Sequence, residues 1–191
     1  MTPQPCVRAS QGGGAAAESD ERLVALALRG SRDAFSVLVD RYQARLFRFL
    51  LARSACRADA EDALQETFVN AYRYLASYDS RWRFSTWIYR IAVTKSVRWR
   101  DGADFAGVEA TEPAPDPLAE CIGDSERENL WLAAKRVLPE ALFAAAWMRY
   151  AEDMPLRDIA EALGRSESWT KVALYRARRR LAKTLGPEAD R

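Results

Sequence analysis

The sequence predicts an all-α protein: two small helical domains joined by an acidic flexible linker. Three observations carry that prediction. Apolar residues recur three and four positions apart through most of the chain, which is the spacing of one face of a helix. Capping residues and glycines stand where that pattern stops and restarts. Near the middle, Pro113, Pro115 and Pro117 interrupt any helix, and nine acids face one base between Asp101 and Glu128.

Residues 1–17 hold Pro3, Pro5 and Gly12 to Gly14 with few large apolar side chains, so a disordered tail is expected there. The first domain spans 18–100. Asp20 is expected to cap a short helix through Leu23, Leu26 and Ala27, stopped by Gly30. Ser31 caps a second, in which Phe35, Leu38, Val39, Tyr42, Leu46, Phe49 and Leu50 step by three or four to about Arg53. Asp59 is the expected cap of a third, whose apolar stripe is Ala63, Leu64, Phe68, Ala71, Tyr72 and Leu75. Glu61, Asp62, Gln65 and Glu66 fall on its other faces. After a loop, Ser85 is placed to cap a fourth helix through Trp87, Ile91 and Val97 to about Arg100. The linker spans 101–124. The second domain, 125–186, reads as helices over 125–138, 139–150, 155–163 and 167–185, before a short tail at 187–191.

Composition narrows the function. Among 191 residues, 29 Lys and Arg stand against 27 Asp and Glu, and histidine is absent. Without histidine the commonest general base is missing, and Cys6, Cys56 and Cys121 lie too far apart for a zinc site of ordinary spacing. No catalytic constellation is visible, and no cofactor is expected. No run of about eighteen apolar residues exists and the N-terminus lacks the order of a signal peptide, so a cytoplasmic protein with no membrane contact of its own is expected.

A net charge of +2 is too mild to argue for nucleic acid, but its distribution is uneven. From Arg157 to Lys183, eight bases face three acids. All but Lys183 fall in the segment PLRDIAEALGRSESWTKVALYRARRRL, Pro155 to Leu181, which reads as a helix-turn-helix. Pro155 suits a first helical turn, Ile159, Ala160 and Leu163 form an apolar face, and Gly164 permits the left-handed turn between helices. Ser166 caps the second helix, whose inner stripe is Thr170, Leu174, Ala177 and Leu181. Arg165, Ser166, Ser168, Trp169, Lys171, Val172, Tyr175, Arg176 and Arg179 are the candidate DNA contacts, with Arg178 also outward. In the first domain, Tyr78, Trp82, Phe84, Trp87 and Tyr89 interleave with Arg81, Arg83 and Arg90. Aromatic faces stack bases and arginines hold phosphates, so this segment suits a single strand.

Three blocks in this order resemble the extracytoplasmic-function (group four) sigma factors of bacterial RNA polymerase, from about Asp20 to Leu185. DAEDALQETFVNAYR, Asp59 to Arg73, is similar to the family's polymerase-binding helix. YDSRWRFSTWIYRIA, Tyr78 to Ala92, is similar to its promoter-opening segment, and the helix-turn-helix to its upstream-element reader. The resemblance implies a sigma-2-like first domain and a sigma-4-like second one. It implies a non-enzymatic transcription initiation factor whose partners are core polymerase, through the β′ clamp helices and β flap, and promoter DNA, with an anti-sigma factor as regulator. Asp59, Glu61, Asp62, Gln65 and Glu66 would then bind core polymerase. Ser80, Arg81, Trp82, Arg83, Phe84, Trp87, Lys95 and Arg98 would serve the minus-ten element, and the helix-turn-helix residues above the minus-thirty-five element. The chain departs from the family pattern at Thr94, Arg98, Trp169 and Val172, so its promoter preference does not transfer from relatives. Two other readings stay open at this point: a dimeric helix-turn-helix repressor or activator with a sensing bundle, and a helical adaptor that binds only protein.

Overall fold

The computed structural model describes residues 18–96 and 126–185. Within them lie eight α-helices, one 3-10 turn and no strand. The expected N-terminal tail, the acidic linker and the last residues lie outside the described residues.

The first group comprises α1 (Asp20–Leu28), α2 (Arg32–Leu51), α3 (Arg57–Arg73) and α4 (Phe84–Ser96), with the 3-10 turn Leu75–Ser77 after α3. Three of the expected caps hold other positions. Ser19, not Asp20, caps α1, its hydroxyl accepting the Arg22 N–H at 3.3 Å. Asp20 is the first helical residue, and its carboxylate accepts from the Arg41 guanidinium and the Tyr42 hydroxyl of α2. A short polar side chain that can bind across to a neighbouring helix is thereby withdrawn from capping its own. Likewise α3 begins at Arg57, with Cys56 in extended backbone and its Sγ 3.4 Å from the Asp59 N–H. Ser31 does cap α2, accepting from the Ala34 N–H at 3.3 Å. Ser85 lies inside α4, which starts at Phe84 because burial of that ring draws the chain into the core two residues early.

The second group is α5 (Glu126–Val137), α6 (Glu140–Tyr150), α7 (Leu156–Leu163) and α8 (Glu167–Leu185). Gly164 ends α7 at φ +61°, the left-handed conformation that costs glycine least. The Ser166 hydroxyl then accepts the Trp169 N–H at 3.1 Å and opens α8. Thr170, Ala173, Leu174 and Ala177 bury the inner face of α8. The Thr170 hydroxyl is absorbed by the Ser166 carbonyl at 3.2 Å, so it sits in the core at little cost.

The two helical groups expected from the sequence are present, but they are not separate bodies. Phe49 of α2 has its ring 5.2 Å from Tyr89 of α4 and 6.1 Å from Trp147 of α6, so one aromatic residue serves both halves. Helix α4 packs along α7. At that seam the buried Thr86 hydroxyl donates to the buried Asp158 carboxylate at 2.9 Å.

Candidate nucleic-acid interface

The turn before α4 is pinned by hydrogen bonds of its own. The Tyr78 hydroxyl donates to the Trp82 carbonyl at 2.6 Å, and the Trp82 N–H returns to the Asp79 carbonyl at 3.0 Å. The Asp79 carboxylate accepts the Arg81 backbone N–H at 3.0 Å and its Nε at 2.7 Å, which holds the carboxyl below the usual range. Ser80, Arg81 and Arg83 are exposed, and Trp82 is half-buried. Beneath them Tyr78, Phe84 and Trp87 form a cluster with ring centroids 5.6 to 6.0 Å apart, Tyr78 edge-on to both of the others. Phe84, expected to touch the minus-ten element, is only 1% exposed, so it supports the surface from below. Its ring also meets Tyr42 edge-on, and apolar closure on three sides decides its place. Trp87 is half-buried in the same cluster. Arg98 lies outside the described residues.

Burial raises the Tyr78 phenol to about 12, helped by the carboxylates of Glu21, Asp20 and Asp79. A phenol raised in the folded state favours the neutral form, so its contribution to stability is complete below pH 10 and is lost as pH climbs toward 12. Tyr78→Phe should lower stability at pH 8 by about 1 kcal/mol through the lost hydrogen bond. It should also flatten the alkaline decline, and urea midpoints at pH 8 and pH 11 measure both effects. An alkaline decline as steep as in the parent chain would contradict the assignment.

On α3, Asp62, Gln65 and Glu66 are exposed at spacings of three and four, hence on one face. Glu61 is held by Arg57 at 2.7 Å, and Glu66 by Lys95 of α4 at 3.2 Å. Among the described residues, Asp62 and Gln65 have no side-chain partner. Asp59 is half-buried near the helix start. Lys95, expected at the nucleic acid, is thus engaged with the acidic helix, tying the two surfaces together.

The exposed face of α8 carries Ser168, Lys171, Val172, Tyr175, Arg176, Arg178 and Arg179. Arg179 lies over the Tyr175 ring at 5.8 Å, and Arg165 over the half-buried Trp169 at 5.6 Å. Val172 and Tyr175 are 46% and 54% exposed, placing an apolar strip between cations. Such a face can hold phosphates and meet thymine methyl groups in a major groove.

Sequence reasoning missed Arg157 and Glu161. The Arg157 guanidinium sits over the Trp82 ring at 4.4 Å, and Glu161 pairs with Arg90. Together they wall a cleft of about 560 Å³ whose other side carries Trp82, Trp87 and Arg81. The one signal available was that α7 alternates charge with its apolar face, which any exposed helix does.

Residues 38–104 match the description Sigma-70 region 2, and residues 129–181 match Sigma-70, region 4. The ECF RNA polymerase sigma factor SigM of Mycobacterium tuberculosis is 32% identical over 176 residues, 91% of this chain and 88% of that protein. The ECF RNA polymerase sigma-E factor of Haemophilus influenzae is 30% identical over 183 residues, 88% of this chain and 96% of that one. The fold is similar to that of CnrH in complex with the cytosolic domain of CnrY, at TM-score 0.69 and 23% identity, covering 91% of this chain and 100% of that one. It is also similar to the sigma factor RpoE bound to the anti-sigma factor NepR from Bartonella quintana, at TM-score 0.60 and 22% identity, covering 82% and 98%. Region 2 and region 4 in one chain define a sigma factor, and this protein belongs to the extracytoplasmic-function family. Its activity is promoter-directed initiation of transcription with RNA polymerase, and it is not an enzyme.

Proposed function

We propose a division of labour among three surfaces. The α3 face of Asp62, Gln65 and Glu66, with Asp59 and Glu61 at its start, binds the β′ clamp helices of core polymerase, because an acidic and amide surface with unpaired groups suits a basic partner. The turn of Ser80, Arg81, Trp82 and Arg83 receives the opened minus-ten strand, Trp82 stacking a base and the arginines holding phosphates. The face of α8 from Ser168 to Arg179 reads the minus-thirty-five element, its half of the chain also meeting the β flap. The single observation that carries this is a turn pinned by Asp79 and Tyr78 that holds an aromatic ring and two exposed arginines beside the acidic helix.

An anti-sigma factor is the regulator this reading implies, since RpoE, of similar fold, is bound by one. The cytoplasm, where polymerase works, is the place of action. Among the described residues no helix is long and apolar enough to cross a membrane.

The test adds the purified chain to core polymerase freed of other sigma factors and maps transcripts from a promoter library. Transcripts starting downstream of one paired minus-thirty-five and minus-ten motif are expected. Lys171→Ala should lower affinity for the upstream element and flatten its salt dependence by about one unit of log–log slope. DNA binding without polymerase and no holoenzyme would leave the repressor reading instead.

A further inference from the structure

The cleft beside Trp82 is lined, on the side of the first helical group, by Ser77, Asp79 and Thr94 together with the two indoles. Ser77 and Thr94 are exposed, yet each has already committed its hydroxyl proton. The Ser77 hydroxyl donates to the Tyr74 carbonyl at 2.7 Å, and the Thr94 hydroxyl to the Ile91 carbonyl at 2.7 Å. A hydroxyl has one proton and two acceptor lone pairs, so both groups offer the cleft acceptors only. Asp79 adds a carboxylate, which its bonds to Arg81 keep ionised and therefore acceptor-only.

Donors on the same wall are differently placed. The Arg81 guanidinium is paired with Asp79 and that of Arg90 with Glu161, and both stand at the exposed rim, where phosphates pass. The Trp82 indole N–H lies in the plane of its ring, so a base stacked on that ring does not receive it at its edge. The hydrogen-bonding edge of a base in this cleft therefore meets mainly lone pairs.

We infer that the cleft selects a base with an exocyclic amine at one minus-ten position and rejects thymine, with Thr94 as the specificity-determining residue. The inference deepens the proposed role of the Trp82 turn and rests on it. An exocyclic amine brings two N–H donors, whereas thymine has a single ring N–H flanked by carbonyl oxygens. Against an acceptor wall those carbonyls give up water and find no proton, which costs binding. Thr94 decides because its lone pairs are fixed in direction. Its β-branched side chain sits on a helix and is tied back to the carbonyl three residues earlier, while Ser77 ends a short 3-10 turn. An amide in place of Thr94 would present a donor beside its acceptor and so accept either kind of base.

The test uses holoenzyme assembled from the full chain and core polymerase freed of other sigma factors. Its affinity is measured by fluorescence anisotropy for single strands carrying the minus-ten element found with the promoter library, each position bearing each of the four bases in turn. One position should disfavour thymine about tenfold, the worth of one hydrogen bond. Deleting only the amine there, with purine for adenine, pyrimidin-2-one for cytosine or hypoxanthine for guanine, should cost the same factor. Thr94→Val keeps the side-chain shape without the lone pairs and should erase the preference while leaving core affinity and salt dependence unchanged. Thr94→Ser should retain the preference, and Thr94→Asn should admit thymine. An undiminished preference in Thr94→Val, or indifference of the parent holoenzyme to loss of the amine at every position, would overturn the inference. Strand affinity that does not respond to Trp82→Ala would instead overturn the reading of the turn beneath it.

Discussion

Replacing Asp62 and Gln65 together by alanine lowers affinity for core polymerase by about a hundredfold, whereas Trp82→Ala leaves that affinity unchanged and slows strand opening. The magnitude follows from two exposed and unpaired polar groups at the centre of a docking face, each costing about 1 to 2 kcal/mol on truncation. The direction follows from geometry. Asp62 and Gln65 point away from the core on α3, while Trp82 stands on the separate turn before α4. Loss of a stacking platform worth about 1 to 3 kcal/mol affects the opened strand and not the protein partner. Holoenzyme titration by fluorescence anisotropy and permanganate reactivity of promoter thymines read the two effects independently. Equal losses of core affinity in both variants would dissolve the division.

Phe49→Ala should produce the largest loss of stability, about 3 to 5 kcal/mol, as expected for a fully buried aromatic residue. For a chain of this size that corresponds to a fall in melting temperature of roughly 10 °C. The ring lies between Tyr89 and Trp147, so the cavity opens in both halves and neither can collapse onto it alone. Urea denaturation should show a lower midpoint with a broader or split transition, because removing the shared residue uncouples the halves. A loss under 1 kcal/mol would mean that the halves do not share this core.

Much of the fold was legible because helix periodicity is a local property. Phe35, Leu38, Tyr42, Leu46, Phe49 and Leu50 all face inward on α2, as their spacing requires. The helix-turn-helix was legible for the same reason, with Gly164 in the left-handed turn and Ser166 at the start of α8. The acidic face of α3 could be read as well, since charges spaced by three and four share a side whatever the helix packs against.

The misplaced details have a common cause. Asp20, Asp59 and Ser85 are good caps by residue type, but the position of a cap depends on where a helix is pulled into its neighbours. Asp20 goes to Arg41 and Tyr42, and burial of Phe84 starts α4 early. Phe84 and Trp82 are indistinguishable in sequence, two residues apart among arginines. Only packing separates them, placing one ring under the turn and the other on it.

By itself the sequence determined the helices, the two helical groups and the three surfaces to which functions are proposed, because each depends on residues within about one helix of one another. Tertiary structure decided which aromatic residues face outward, how Lys95 joins the acidic helix, and that Arg157 of α7 sits over Trp82. These depend on pairs such as Thr86 with Asp158 and Arg157 with Trp82, more than seventy positions apart, which no local pattern encodes.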